Sequence, residues 1–238
     1  LFFFSLFSCS GPSKLSNQNL AYLYSSGLNF ILPEYRVCNI SPDTSRIFFS
    51  VNPNELLFKK SDSSNAFMAA FTIQYQLMLN YESKIAIDTG TRNFEFEMFE
   101  DSSLIILDHI DIHAPDSNEY VLQVTLTDVN RNQTVASFIP IDRTGIQPAE
   151  DFMVMDEMSQ PFIRNFTDRV GTFKILNSNT TRTKLYVRYF KIRYPLSSPP
   201  FSNTALKPLS YTADEVQVLD FNNEVSLTLD KPGIYHLQ

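Results

Sequence analysis

A chain of 238 residues exceeds one ordinary domain of roughly 100–150 residues, and with 43% hydrophobic against 19% charged residues it is too apolar to be disordered. A net charge of −7 disfavours binding to polyanions such as nucleic acid, and two cysteines, Cys9 and Cys38, are too few for a disulfide scaffold or a cysteine-rich zinc site. The 21 Phe and 11 Tyr, set against 6 Gly and no Trp, favour pleated, half-buried strands.

The first nine residues, Leu-Phe-Phe-Phe-Ser-Leu-Phe-Ser-Cys, run into Ser10-Gly11-Pro12-Ser13-Lys14. The apolar run is too short to span a bilayer, which takes about 20 residues, and reads as the end of a secretory signal. Leu6-Phe7-Ser8-Cys9 resembles a bacterial lipobox, with the lipid on Cys9; the alternative is a short buried strand. Residues 10–30 are polar and rich in Ser and Asn, as in a tether, with room for a short helix between Leu15 and Tyr24.

From Tyr35 onward the hydrophobic period becomes two. Tyr35–Ile40, Arg46–Val51 and Leu56–Lys59 are expected strands, separated by Ser-Pro-Asp and Asn-Pro-Asn turns. Phe67–Leu79 alternates most clearly, with Phe67, Ala69, Phe71, Ile73, Tyr75, Leu77 and Leu79 on one face. Lys84–Ile87, Asn93–Met98, Leu104–Ile112, Tyr120–Thr127 and Thr134–Ile141 follow, and Tyr120, Leu122, Val124 and Leu126 form an inward set. Short strands with turns every 8–12 residues, and no helical stretch long enough for a crossover, predict a sandwich.

Residues 142–151, with Gly145 and Pro148, read as a linker. Beyond it the expected strands are Phe152–Met155, Thr172–Leu176, Lys184–Tyr194, Glu215–Leu219, Val225–Leu229 and Ile234–Leu237. A short internal repeat joins the halves: Ile110 to Pro115 matches Leu227 to Pro232, and Tyr120-Val-Leu-Gln123 matches Tyr235-His-Leu-Gln238. The expected organisation is all-β: signal-peptide remnant 1–8, lipid anchor and tether 9–30, and two consecutive immunoglobulin-like β-sandwich domains, 31–145 and 150–238. The second is expected to be C-terminally incomplete, because it stops before a strand equivalent to Thr134–Ile141.

Motifs of catalysis are missing from the sequence. There is no phosphate-binding glycine loop, no Gly-x-Ser-x-Gly and no His-Glu-x-x-His, so neither an enzyme nor a cofactor is expected. At period two, His109, Asp111 and His113 share one strand face. They are metal-ligand types, but steps of about 6.5–7 Å along a strand keep three from converging on one ion, so a solvated face is expected instead. Arg182, Lys184, Tyr186, Arg188, Lys191, Arg193 and Tyr194 interleave bases with aromatics, and Phe201 lies in the proline-rich stretch 195–208. Such a strip could serve as a binding surface for glycan, lipid headgroup or an acidic partner; the alternative is an amphipathic strand whose basic side chains cover aromatic surface.

Asn19-Leu-Ala-Tyr22-Leu-Tyr24, Leu32-Pro-Glu-Tyr35-Arg-Val37, Asn52-Pro-Asn-Glu-Leu-Leu57, Ser198-Pro-Pro-Phe201-Ser and Pro232-Gly-Ile-Tyr235 resemble the N-terminal part of GWxTD domain-containing proteins. These are envelope proteins, often lipoproteins, of Bacteroidetes-type bacteria, and the motif that names them is absent here. The resemblance implies a cell-envelope location and carries over no functional residue. The expected function is a non-catalytic lipoprotein, membrane-attached through its anchor and meeting an envelope protein. The alternatives are a surface carbohydrate-binding lipoprotein, or the accessory part of an enzyme whose catalytic region lies elsewhere.

Overall fold

The computed structural model describes residues 31–61, 66–98, 105–144, 149–167, 170–178, 183–191 and 212–238. These residues belong to one compact unit, Ile31–Gln238. They are all-β, with antiparallel pairing throughout. The first strands are β1 (Glu34–Ser41), β2 (Thr44–Val51), β3 (Lys59–Lys60) and β4 (Phe67–Met78). Next come β5 (Asp88–Glu97), β6 (Ile106–His113), β7 (Glu119–Asp128) and β8 (Gln133–Asp142). After a short 3-10 turn at Ala149–Asp151 follow β9 (Phe152–Met155), β10 (Gly171–Asn177), β11 (Lys184–Phe190), β12 (Glu215–Asp220), β13 (Glu224–Leu229) and β14 (Ile234–Leu237).

Up to Asp142 the strands make two sheets. One has the order β1-β2-β6; the other runs β3-β4-β7-β8, with β5 on the remaining side of β4. Both direct alternate residues into a single core, because successive side chains on a strand point to opposite faces. Val37, Ile47, Phe49, Val51, Ile110 and Ile112 come from the first sheet, and the second answers with Phe71, Ile73, Leu77, Leu122, Val124 and Leu126. Phe49 joins the sheets edge-on, its ring centroid 6.2 Å from Phe71 and 5.2 Å from Phe94. T-shaped pairs of this kind add to the burial of the rings themselves.

From Phe152 onward two further sheets have the orders β13-β10-β9 and β12-β11-β14. A second, separate core lies among Phe152, Ile175, Leu185, Val187, Phe221 and Leu227. The wiring repeats that of the first half: β9-β10-β13 stands to β1-β2-β6 as β12-β11-β14 stands to β5-β4-β7. Among the described residues β8 has no counterpart.

The matched tyrosines take up matched roles. Tyr120, at the start of β7, is buried and its hydroxyl donates to the Pro115 carbonyl at 2.7 Å. Tyr235, in β14, donates to the Lys231 carbonyl at 3.1 Å. Each bond ties a strand to the turn just before it, and in buried Tyr120 it satisfies a phenol that would otherwise be left unpaired.

Several expected boundaries move. The central strand ends at Met78; Phe67 and Leu79, the limits of the expected strand, are exposed while Ala69, Phe71, Ile73, Tyr75 and Leu77 are buried. Leu56–Lys59 is not a continuous strand. Pro53 starts a 3-10 turn capped by the Asn52 side chain, and only Lys59–Lys60 pairs with β4. Lys84–Ile87 lies in a loop, and β5 begins instead at Asp88.

Candidate functional site

His109, Asp111 and His113 do lie along one side of β6, with Ile110 and Ile112 buried on the other. The register sets Asp111 opposite Arg46 of β2. The guanidinium donates to both carboxylate oxygens, at 2.6 and 2.9 Å, in the planar fork that suits this pair. That hydrogen bond, with the Arg46 charge, holds the Asp111 carboxyl below its ordinary range. The His109 ring lies 5.8 Å from Phe48, and the His113 backbone N–H donates to Asp88. Among the described residues no group of three His, Cys, Asp or Glu side chains is placed to hold a metal ion.

The basic and aromatic strand divides between two environments. Lys184 and Tyr186 are exposed and Arg188 is half-buried, while Leu185, Val187 and Tyr189 are buried between them. Tyr189 contacts the ring of Tyr235 at 5.0 Å and donates to the Pro232 carbonyl at 2.8 Å. Phe190 is buried as well, and Lys191 follows the strand with its backbone N–H bonded to Asp214. His236 is paired with Arg188 across the ladder, and burial together with the Arg188 charge lowers its pKa. What this face presents is therefore a mixed strip of Lys184, Tyr186 and Arg188 beside the exposed Val216 and Val218 of β12. Arg182, Arg193, Tyr194 and Phe201, and the lipidation candidate Cys9, lie outside the described residues.

A different cluster links the two cores. Asn39, at the irregular end of β1, accepts from the Ser45 hydroxyl at 2.9 Å and donates from its amide to Asp151 at 2.9 Å. All three side chains belong to buried residues. Farther along the same strand, Arg36 donates to the Asn165 side-chain oxygen at 2.5 Å, and Arg164 forks onto both oxygens of Glu34 at 2.8 and 2.7 Å. Cys38 is a free, buried thiol beside the Phe152 carbonyl, and burial pushes its pKa up to about 11. Nothing in the spacing of these residues signals the cluster, since the partners that join the two halves are more than a hundred residues apart; the one hint is that Asn39 and Ser45 are polar positions inside strands.

No protein-family model matches the chain, and neither does any curated protein. The class that the coordinates define is an all-β protein of small antiparallel sheets. Asp111 is committed to an arginine, and half of the aromatic strip is committed to the interior.

Proposed function

We propose that the chain is a non-catalytic cell-envelope lipoprotein, and that its two cores belong to consecutive immunoglobulin-like β-sandwich domains acting as a structural or protein-interaction module. Support for the domain type comes from the repeated strand order and from the two tyrosines that bond back to the preceding turn, a recurrent device of such sandwiches. The observation that carries a structural role is the buried chain Ser45–Asn39–Asp151. A flexible tandem would leave these polar groups in water; burying them is favourable only when the partners stay in register. The two domains then form a stiff spacer that presents its outer faces at a fixed angle.

Attachment through Cys9 rests on the apolar octapeptide before it and the polar segment after it. An acylated cysteine with two or more chains gives stable anchoring where one chain gives marginal binding. The resemblance to GWxTD domain-containing envelope proteins supports the same location. The alternative of a glycan platform on β11 draws less support, because Tyr189 and Phe190 are buried.

The test is to express the precursor in a Gram-negative host with a fatty-acid probe, beside Cys9→Ala. Label and membrane fractionation should both be present in the wild type and lost in the variant. Equal labelling of the two proteins would overturn the anchor.

A further inference from the structure

The outer face of the five-stranded sheet in the first half carries an unusual surface. On β4, Thr72, Gln74 and Gln76 point away from the core that Phe71, Ile73 and Tyr75 fill. Their cross-strand partners on β5 and β7, and the β8 residues beyond, are Thr, Asn, Gln, Ala and Phe. No Asp, Glu, Lys or Arg stands in these three rows, although 19% of the chain is charged and the net charge is −7. Every row ends on the outer strands β5 and β8, and at sheet edges charged side chains are the usual defence against further pairing.

The face is ordered as well as uncharged. Thr72 donates to the Asn93 side chain at 2.8 Å, and the Thr127 and Thr134 hydroxyls lie 3.0 Å apart. The row of Gln76 and Gln123 runs to Phe138. Phe138 is 44% exposed, and the ring of Tyr81, 68% exposed, tilts against it at 6.0 Å. Two solvent-facing aromatic rings therefore stand beside two carboxamides on a surface about 14 Å wide, four strands at about 4.8 Å spacing.

We infer that this face binds a neutral oligosaccharide. A carboxamide offers a donor and an acceptor side by side, matching a pair of neighbouring sugar hydroxyls. An exposed ring covers the apolar C–H face of a pyranose while the polar tip of Tyr81 stays in water. The lack of charge selects an uncharged ligand, since a charged one would be desolvated against a surface that offers it no counter-charge. The platform's width suits an extended chain lying across the strands rather than a single sugar. This inference is independent of the anchor, and it places the glycan on the opposite half of the molecule from β11.

The experiment is native gel electrophoresis of the full chain, in a detergent without a sugar headgroup, through gels containing galactomannan, mixed-linkage β-glucan, dextran or the anionic polygalacturonate. The wild type should be retarded by at least one neutral polymer and not by polygalacturonate. Phe138→Ser and Gln123→Ala should each weaken that retardation about tenfold, whereas Tyr186→Ser should leave it unchanged; circular dichroism melts verify that the variants fold. Lack of retardation by any neutral polymer, retardation equal in Phe138→Ser, or loss confined to Tyr186→Ser would overturn the inference. So would concentration-dependent dimerisation abolished by Phe138→Ser without any effect of polysaccharide, which would assign the face to a second copy of the chain.

Discussion

The amide of Asn39 donates to the carboxylate of Asp151 at 2.9 Å in a place closed to water, and the two residues are 112 positions apart. Asn39 stands at the end of the β1 face that carries Val37 into the first core, and Asp151 closes the turn just before β9, so this buried bond couples both halves. Asn39→Ala leaves the carboxylate without that donor, and the loss should cost about 1–3 kcal/mol in urea unfolding. In a double-mutant cycle with Asp151→Ala the two losses should fall well short of additive. Full additivity would mean that the bond contributes nothing to the joint.

Tyr120 and Tyr235 allow a comparison within one molecule. Tyr120→Phe removes a hydroxyl bonded at 2.7 Å from a residue only 3% exposed, and should lower stability by about 0.5–1.5 kcal/mol. Tyr235→Phe removes a longer bond from a half-buried ring and should cost less. Thermal unfolding of the two variants gives the ranking.

Gly90 faces Tyr75 across the β4–β5 ladder, and a Cβ at that position would lie 2.5 Å from the tyrosine ring. Gly90→Ala must push the ring aside or bend the edge strand, at a cost of about 1–3 kcal/mol. The variant Tyr75→Leu, with a smaller side chain, should relieve much of that cost when combined with it. An unchanged melting temperature for Gly90→Ala alone would show that β5 shifts freely.

Cys38 should behave as an inert, buried thiol. With its pKa pushed up to about 11 by burial, almost no thiolate exists at pH 8, and the attacking species is the thiolate. A chromogenic disulfide reagent should label it slowly in the native protein and at once in denaturant. Fast native labelling would place Cys38 at an accessible surface.

Asp111 supplies a pH-dependent contribution whose sign follows from its lowered pKa. Above the unfolded carboxylate value of about 3.9 the folded state holds the ionised form preferentially, so the Arg46 pair stabilises. That contribution is lost as pH falls through the depressed folded value. The pair is only partly shielded from water, so Asp111→Asn should cost no more than about 1 kcal/mol at pH 7. The gap between variant and wild type should close in acid; a gap that persists there would assign the effect to packing instead of charge.

The sequence by itself determined the strands whose apolar residues alternate. Tyr120, Leu122, Val124 and Leu126 are buried as their period requires, and Ile234–Leu237 is a strand with those limits. Alternation is local, so a single stretch of chain reveals it. The sequence also carried the tyrosine repeat, because each Tyr bonds within five residues of itself. Elsewhere the local pattern misled. Lys84–Ile87 looks like a strand but leaves Ile85 82% exposed in a loop, whereas Asp88–Glu97 has little apolar alternation and becomes a strand because β4 supplies its hydrogen bonds. The binding candidates were decided still more by the tertiary structure. Register alone set Arg46 opposite Asp111, and the ring of Tyr235 packs on Tyr189, which is buried while Tyr186 stays outside. The joint between Asn39 and Asp151 and the three uncharged rows across four strands exist only where distant segments meet. A strand's own residues fix which side chains share a face, but the identity of its neighbours fixes what that face touches.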